Sequence, residues 1–360
     1  MNKILYFNMM QFGHSANHRD ICKNLSDDFI VHYLSFNLGL KLFLENKIKL
    51  HYSQFNRDRK ILNFISFFLH AIKLSYRLKP KYIVVVVSTE FINSIFFFLL
   101  YPFIYNKSIK YLDLRTVSVN PKLRRRKIEN YLVKILSKLF KKTLLFNEDI
   151  RNIIGISKKK SILIPLGGQP LSTKIYSGPE VRLIYIGAYI NRNIDIVIKA
   201  YYHFRKDQPT RKSQISLIGY GDNEINKLKK LVSTLGLSDS VNIYNRMAHS
   251  EMKDIVAKTN IGISFVPINS YYNFQTPTKI FEYGLSGLFT IATNTISSQR
   301  IINKHNGILC NDTIMSLKNA IDEASIKIND INPIKIKDTF KNFEIKNIVR
   351  SKMLNKIFIK

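Results

Sequence analysis

The twelve residues TPTKIFEYGLSG, from Thr276 to Gly287, combine the signals of a helix start with side chains that bind phosphate and sugar hydroxyls. Thr276 followed by Pro277 predicts an N-cap with proline at the first helical position. The free N–H groups of such an N-terminus suit a diphosphate, and Lys279 adds a positive charge. Glu282 lies one turn further, where a carboxylate can accept hydrogen bonds from both ribose hydroxyls. We therefore predict a nucleotide-binding helix, with an ordinary crossover helix as the alternative.

Two further groups of residues follow predicted strands in the first half of the chain. Gly13 and His14 follow the first strand, where a glycine turn lets the backbone approach a ligand. Asp113 and Arg115 stand at the end of a later strand, a position that often carries function in parallel sheets. We predict that His14 and Asp113 belong to a site. The alternatives are a solvent-exposed loop histidine and a local ion pair between Asp113 and Arg115.

The elements that position these residues are short apolar runs alternating with helical patterns, which is typical of parallel βα units. The predicted strands are Ile4–Asn8, Phe29–Ser35, Tyr82–Val87, Ile109–Leu114, Thr143–Phe146, Leu183–Gly187, Gln214–Ile218, Val241–Tyr244, Ile261–Val266 and Leu288–Ala292. Two segments rich in proline and glycine, 164–170 and 177–179, separate the first five strands from the last five. We therefore predict two doubly wound α/β domains that face a cleft.

The composition indicates a globular and strongly basic protein. The 360 residues are 46% hydrophobic, which is enough for two cores. The net charge of +31 has three explanations: compositional drift, attraction to an anionic membrane surface, and nucleic-acid binding. We expect no nucleic-acid partner, because the sequence has no zinc-finger, aromatic RNA-binding or helix-turn-helix motif. The two cysteines, Cys22 and Cys310, are too few and too far apart for a disulfide framework and suit a reducing cytoplasm.

Two segments of the first half raise the question of membrane contact. Residues 82–105 are largely apolar, but Glu90 and Pro102 interrupt them, so a buried strand followed by a helix from about Phe91 fits better than a membrane span. The stretch from Leu123 to Lys142 predicts an amphipathic helix that packs its apolar stripe on the sheet or lies with its basic face on anionic lipid. The stripe is Ile128, Leu132, Ile135 and Leu139, and the basic residues are Arg124, Arg125, Arg126, Lys127, Lys134, Lys138 and Lys141.

The second half resembles the C-terminal domain of family-four, or group one, glycosyltransferases. The resemblance begins with PTKIFEY at 277–283, followed by Gly287 and by TIAT at 290–293. Four further segments agree in order and spacing, from about Val181 to Leu309: LIYIG with RNID, LIGYG, VNI with HSEM, and NGIL. In the first half, Asp113–Thr116 and Ile164–Gly168 resemble the family more loosely.

The resemblance implies the GT-B fold, in which two Rossmann-like domains face a cleft. The first domain, on the acceptor side, is then expected over 1–168 and the nucleotide-sugar-binding domain over 169–341. A last helix over 342–360 is expected to cross back to the first domain. The implied reaction moves a sugar from a nucleotide-sugar donor to a glycan or lipid-linked acceptor, with retention of configuration, in surface polysaccharide biosynthesis. The nucleotide-sugar is a substrate, and no cofactor is expected. The expected place of action is cytoplasmic, peripheral on the inner face of the plasma membrane.

The same resemblance assigns roles to individual residues. Asp113, Arg192 and Lys279 are the expected catalytic residues. The expected donor-binding residues are Gly13, His14, Gly187, Arg192, Gly219, His249, Thr278, Lys279 and Glu282. The departing diphosphate gathers negative charge, which Arg192, Lys279 and the helix N-terminus would stabilise. No Asp-x-Asp pair is present to chelate a divalent ion with the donor, so we expect a reaction without metal and no metal-binding residues.

The sequence departs from the family pattern at two positions. Phe274 stands where many members carry a first glutamate that acts near the transferred sugar, and Ala188 stands where many carry arginine. Two alternatives therefore stay open: a nucleotide-sugar epimerase of the same fold, and a catalytically silent nucleotide-binding protein that docks on membranes. An epimerase would turn the donor over without an acceptor, and a silent protein would bind it without turnover.

Overall fold

The computed structural model describes residues 1–14, 16–40, 42, 45–88, 91–118, 120, 122–176, 178–247, 249–269 and 272–358. The chain forms two compact units, of which the first comprises Met1–Leu166 with Ile345–Lys360 and the second comprises Gly167–Glu344. These divisions lie two and three residues from the boundaries expected at 168 and 341. Each unit has its own sheet and its own core.

The first unit contains a seven-stranded parallel sheet with the order β3-β2-β1-β4-β5-β6-β7. Its strands are β1 (Lys3–Phe7), β2 (Ile30–Asn37), β3 (Ile48–Gln54), β4 (Tyr82–Val87), β5 (Ile109–Leu114), β6 (Lys142–Leu145) and β7 (Ser161–Leu163). Its helices are α1 (Ala16–Leu25), α2 (Lys60–Leu78), α3 (Phe91–Leu100), α4 (Leu123–Leu139), α5 (Glu148–Ile154) and, near the C-terminus, α13 (Ile345–Ile348). Apolar residues of α2, α3, α4 and α5 cover one face of the sheet, and α1 with the C-terminal segment covers the other.

The second unit contains a six-stranded parallel sheet with the order β10-β9-β8-β11-β12-β13. Its strands are β8 (Val181–Ala188), β9 (Ser213–Tyr220), β10 (Val241–Tyr244), β11 (Ile261–Ser264), β12 (Phe289–Thr293) and β13 (Gly307–Cys310). Its helices are α6 (Ile194–Asp207), α7 (Asp222–Thr234), α8 (His249–Val256), α9 (Lys279–Leu285), α10 (Ile296–Gln299), α11 (Ile314–Lys327) and α12 (Pro333–Phe340). The predicted architecture of two parallel α/β sheets is confirmed.

All ten predicted strands are present, with bounds that differ by at most a few residues. The sequence analysis missed β3, β7 and β13, and each of these is an edge strand of its sheet. The C-terminal helix is shorter than the range expected, 342–360, and extends over residues 345–354. It begins with the single turn of α13, Ile345–Ile348, and continues as a π-helical stretch over Val349–Leu354.

The segment 82–105 folds as predicted, with β4 followed by an apolar helix, α3, that begins at Phe91. Among the helices that the structure describes, none is long and apolar enough to cross a bilayer. The amphipathic stretch is the helix α4, and the expected packing of its apolar stripe is correct only in part, since Leu132, Ile135 and Leu139 are half-buried. The buried positions are Glu129, Val133, Leu136 and Ser137, whereas Ile128 of the predicted stripe is exposed.

Candidate functional site

The carboxyl edge of the second sheet has a topological switch point beside β8. From β8 the chain continues to β9 and β10 on one side, and then returns to β11 on the other side of β8. Loops that leave two adjacent strands in opposite directions open a crevice, where parallel α/β sheets hold ligands. The two loops here are residues 189–193, which follow β8, and residues 265–278, which follow β11. Arg192 lies in the first loop, and the second leads into α9.

Arg192 is held where these two loops meet. Its guanidinium lies 4.3 Å from the ring centroid of Tyr272, so that a cation of the first loop stacks on an aromatic ring of the second. Asn191 and Asn193, on either side of it, have φ angles of 56° and 52°, in the left-handed region that asparagine tolerates better than most residues. This tight turn and the stack on Tyr272 fix the position of the charge.

Two tyrosines, Tyr185 and Tyr189, hold the turn after β8 in place. The Tyr185 hydroxyl donates a hydrogen bond to the carbonyl oxygen of Ala188 at 2.7 Å, and the Tyr189 hydroxyl donates to that of Tyr244 at 3.0 Å. The two rings stack with centroids 6.2 Å apart. Burial raises the pKa of both hydroxyls, so they stay protonated donors at neutral pH. The turn that carries Arg192 therefore rests on a rigid base.

Gly187 and Gly219 lie one residue before the ends of β8 and β9. They are register partners in the β8–β9 pair. A Cβ atom on Gly219 would lie 2.1 Å from the carbonyl oxygen of Gly187, and one on Gly187 would lie 2.8 Å from the Tyr185 hydroxyl. The structure thus gives these glycines a packing role at the strand ends, beside the predicted donor-binding role.

The helix α9 begins later than predicted. Thr278, not Thr276, is the N-cap residue, and its side chain makes no capping hydrogen bond. The expected cap at Thr276 with Pro277 inside the helix is therefore wrong. The N–H groups of Ile280 and Phe281 bond to the carbonyl oxygens of Pro277 and Thr278, which is a tight 3₁₀-type start.

Lys279 and Glu282 lie in the first turn of α9 and form an ion pair with each other. Glu282 is buried and Lys279 is half-buried. The ion pair holds the two side chains together at the start of the helix. Both predicted donor-binding side chains are therefore at one place.

Tight packing fixes α9 relative to the sheet. The backbone N–H of Ile186 in β8 donates to the hydroxyl oxygen of Tyr283 at 2.8 Å. Gly168 lies directly against the helix, since a Cβ atom there would be 2.9 Å from Cγ of Glu282. On another side a Cβ atom on Gly284 would be 2.1 Å from the Phe340 ring of α12. These contacts leave little freedom for the backbone that carries Glu282.

The prediction that Gly287 ends the helix is confirmed. α9 ends at Leu285, and Gly287 adopts a φ of 82° two residues later. The N–H groups of Gly287 and Leu288 bond to the carbonyl oxygens of Gly284 and Tyr283 at 2.9 and 3.0 Å. Glycine is favoured at this position because a left-handed conformation closes the helix and starts the run into β12.

In the first unit the predicted residues also lie at the carboxyl edge of the sheet. Gly13 has a φ of 91° in the loop after β1, and His14 next to it is half-buried. Asp113 is the penultimate residue of β5 and is almost completely buried. Its carboxylate accepts hydrogen bonds from Arg115 at 2.5 and 3.0 Å and lies 3.2 Å from Nε2 of His18.

The environment of Asp113 determines its charge. Burial alone would raise the pKa of this carboxyl, but the positive charge of Arg115 and the hydrogen bond with His18 outweigh it and lower the pKa to about 2. Asp113 is therefore ionised at neutral pH. Because both oxygens are occupied, the carboxylate is suited to orient His18 and Arg115, and the catalytic role predicted for Asp113 stays a prediction.

Two more predicted positions lie in the second unit. His249 begins α8, but its side chain is outside the described part of the chain. Phe274, which replaces the expected glutamate, lies in the same short 3₁₀ turn as Tyr272. Phe274 therefore lies in the same loop as Tyr272, whose ring contacts Arg192.

The comparisons with known proteins agree with this architecture. Residues 180–325 match the family model described as glycosyl transferases group 1. A comparison with curated protein sequences finds no match. The matched region includes β8, the Arg192 turn, the loop after β11 and α9, which are the elements that build the site.

Solved structures match nearly the whole chain in fold. Sucrose-phosphate synthase from Thermosynechococcus elongatus has a TM-score of 0.71 at 14% identity, with 98% of this chain and 95% of that one covered. HepE of Anabaena in complex with UDP and glucose has a TM-score of 0.71 at 13% identity, with 97% and 98% covered. The lipopolysaccharide outer core galactosyltransferase WaaB has a TM-score of 0.70 at 12% identity, with 99% and 100% covered.

Fold and family match together define a GT-B glycosyltransferase, and the resemblance found in the sequence is confirmed. The chain is a glycosyltransferase with the GT-B fold, and its residues 180–325 match the group 1 family.

Sequence reasoning missed three groups that the structure brings to these sites: Tyr272, the Tyr185–Tyr189 stack, and His18. Tyr272, Tyr189 and His18 contact segments that are distant in sequence, whereas Tyr185 donates to Ala188 three residues away. The sequence shows Tyr185 and Tyr189 four residues apart. This spacing does not indicate which backbone carbonyls the two hydroxyls contact.

Proposed function

We propose that this glycosyltransferase takes a sugar from a nucleotide-sugar donor and transfers it to a membrane-associated glycan or lipid-linked acceptor. We propose retention of configuration and a role in surface polysaccharide biosynthesis at the cytoplasmic face of the membrane. The HepE structure contains UDP and glucose, and WaaB is named as a lipopolysaccharide galactosyltransferase, which supports donor and acceptor classes of this kind.

The observation that carries the proposal is the position of Arg192. A cation fixed at the switch point of a parallel sheet, between the loops after β8 and β11, is suited to an anionic ligand at that edge. When a nucleoside diphosphate departs, negative charge grows on its phosphate oxygens. A preorganised guanidinium stabilises that charge without reorganising, which lowers the barrier.

Lys279 and Glu282 supply the other two functions that a donor requires. We propose that the Glu282 carboxylate accepts hydrogen bonds from the ribose hydroxyls and that Lys279 faces the diphosphate. Their ion pair holds both side chains in place before the donor arrives. In this scheme the pair loosens on binding, when Lys279 exchanges part of its contact with Glu282 for a phosphate oxygen.

The helix α4 supports the membrane part of the proposal. Arg124, Lys127 and Lys138 are exposed on its outer side, and Lys141 is exposed just after its end. Of the other basic residues of this segment, Arg125 is exposed but forms an ion pair with Glu129, Arg126 donates a hydrogen bond to the carbonyl oxygen of Asn120, and Lys134 is half-buried. The four exposed cations named first are suited to attract anionic lipid headgroups.

A thermal-shift screen with UDP, GDP, ADP and their sugars tests the donor class directly, because a ligand that binds the folded state raises apparent stability. We expect one nucleotide to stabilise the second unit and its sugar to be consumed only with an acceptor. Donor turnover without acceptor that yields an epimerised free sugar would instead indicate an epimerase. Binding without turnover for any acceptor would indicate a silent protein.

We also expect activity without added metal. Arg192 and Lys279 would stabilise the leaving diphosphate, and no Asp-x-Asp pair is present to chelate a divalent ion with the donor. The measurement is the initial rate in EDTA against the rate with Mg²⁺ or Mn²⁺. A reaction that stops in EDTA and recovers with either ion would contradict this expectation.

A further inference from the structure

The outer sides of α2 and α3 carry large apolar side chains that nothing in the first unit covers. On α2 they recur at spacings of four, four and seven residues, which places them on one side of the helix. They are Ile61, Ile65, Leu69 and Tyr76, with 76%, 48%, 61% and 48% of their surface exposed. On α3 and just after it they are Ile92, Phe98, Leu99 and Phe103, all about half exposed.

The two helices form one surface because their inner sides pack together. The Phe68 ring of α2 contacts Phe96 of α3 with centroids 6.0 Å apart, and it contacts Phe103 with centroids 5.6 Å apart. Phe96 also contacts Phe64 and Phe67 of α2. The exposed residues of the two helices are therefore adjacent, and we call them the α2–α3 apolar face. Proteins seldom expose contiguous apolar surface of this kind without a binding partner.

Positive charge borders the α2–α3 apolar face. Residues 55–107 contain eight Lys and Arg but two acidic residues. Lys73 and Arg77 lie beside the apolar stripe on α2, and Arg57, Arg59 and Lys107 flank the helices; all five are exposed. A second copy of the chain would place these like charges against each other, which opposes self-association through this face. An anionic bilayer satisfies both the apolar centre and the basic border.

We propose that the α2–α3 apolar face inserts into the interfacial region of an anionic lipid bilayer. The inference rests on the proposed action at a membrane surface, and it adds a second kind of force to it. Helices with an apolar side and a basic border lie in the plane of the interface, with the apolar side chains among the acyl chains and the cations at the headgroups. The first unit is then anchored by burial as well as by charge, and binding outlasts high salt.

The absence of tryptophan from the sequence allows a clean test. Leu69→Trp introduces one fluorophore on the α2–α3 apolar face, and Ile326→Trp introduces one on α11 of the second unit. The two residues are equally exposed, at 61%. Each variant is mixed with vesicles of phosphatidylcholine and phosphatidylglycerol, with and without bromine on the acyl chains.

We expect a blue shift for Leu69→Trp on binding and a loss of emission with brominated chains, and neither change for Ile326→Trp. Flotation of the protein with vesicles while Leu69→Trp emission stays unchanged would overturn the inference, since docking would then be electrostatic alone. A blue shift that grows with protein concentration in the absence of vesicles would also overturn it, because a second copy would then cover the face.

A paired substitution tests the contribution to affinity. Ile65→Asn with Leu69→Asn is compared with Ile326→Asn and Ile334→Asn, two exposed apolar residues of the second unit. We expect the first pair to lose the vesicle binding that survives high salt, and the second pair to retain it. Equal retention by both pairs would reject the inference. Donor turnover is measured separately, so that its absence would count against the proposed function and leave insertion unaffected.

Discussion

At the scale of single residues, the site of the second unit depends on charges that the fold holds in place before any ligand binds. Arg192 is stacked on Tyr272, and Lys279 is paired with Glu282. Preorganised charge is effective in catalysis because no reorganisation is needed as the transition state forms. Substitutions of Glu282 and Arg192 should distinguish donor binding from charge stabilisation.

Glu282→Ala should largely abolish donor binding while the protein stays folded. Two hydrogen bonds from ribose hydroxyls to a carboxylate are worth about 1.5–3 kcal/mol each, so the dissociation constant should rise by roughly two to four orders of magnitude. Isothermal titration calorimetry measures the change. Glu323→Ala is a matched control, because Glu323 forms a similar pair with Lys327 on α11 of the same unit. Unchanged donor affinity in Glu282→Ala would remove Glu282 from the site.

Arg192→Gln should lower kcat by about 10²–10³-fold, the usual cost of removing a donor that stabilises developing negative charge. Tyr272→Leu should have a smaller effect, because a cation–π contact contributes about 0.5–2 kcal/mol to the placement of Arg192. The control is Arg182→Gln. Arg182 lies 5.4 Å from the Tyr176 ring centroid, but at the opposite end of β8. Equal losses in the two arginine variants would indicate a general effect on stability.

At the scale of elements, the sequence predicted the interior strands of both sheets and missed three of the four edge strands. Strands such as β4, YIVVVV, are buried on both faces and form continuous apolar runs. The edge strand β3, IKLHYSQ, is only partly buried and mixes polar with apolar residues, so its pattern resembles that of a loop. Periodicity also identified the buried side of α4 only in part. The carboxylate of Glu129 is buried there because Ser118 and Arg125 donate hydrogen bonds to it, which the sequence does not show.

The positions of the predicted residues divide in a similar way. The sequence places Lys279, Glu282 and Gly287 on or just after one helix from local signals, although the helix begins later than predicted. The contact of Arg192 with Tyr272 joins loops eighty residues apart, and no local pattern encodes it. The buried group His18–Asp113–Arg115 is similar, because only the parallel order of β1, β4 and β5 brings α1 close to the end of β5.

The packing of α9 is a property of the element that can be tested by itself. Gly284→Ala would place a methyl group 2.1 Å from the Phe340 ring. Overpacking of this kind costs about 1–3 kcal/mol, and here it would also displace the helix that carries Glu282. We expect a lower denaturation midpoint and weaker donor binding. Phe340→Leu in the same chain should restore part of both losses, because a smaller side chain makes room. If the double variant recovers neither the denaturation midpoint nor donor binding, the contact between Gly284 and Phe340 does not fix the position of α9.

At the scale of the whole molecule, the net charge of +31 has to be explained as well. If the charge reflects composition alone, basic residues anywhere on the surface should contribute equally to binding anionic vesicles. If the first unit docks on the membrane, the exposed cations of α4 should contribute most. The second unit offers a set of four exposed lysines for comparison, Lys227, Lys229, Lys230 and Lys253.

The salt-dependent part of the binding of the first unit to anionic vesicles should come from four exposed cations, three on α4 and Lys141 just after it. Each basic residue near such a surface is worth about 1 kcal/mol, and the attraction falls off over about 8 Å at physiological salt. Replacing Arg124, Lys127, Lys138 and Lys141 by glutamine should therefore weaken binding by roughly three orders of magnitude at low salt. Replacing the four lysines of the second unit removes the same charge and should change binding little. Co-sedimentation with vesicles over a series of salt concentrations measures both. Equal losses in the two variants would show that net charge alone drives binding, and activity on a soluble acceptor analogue should survive in each.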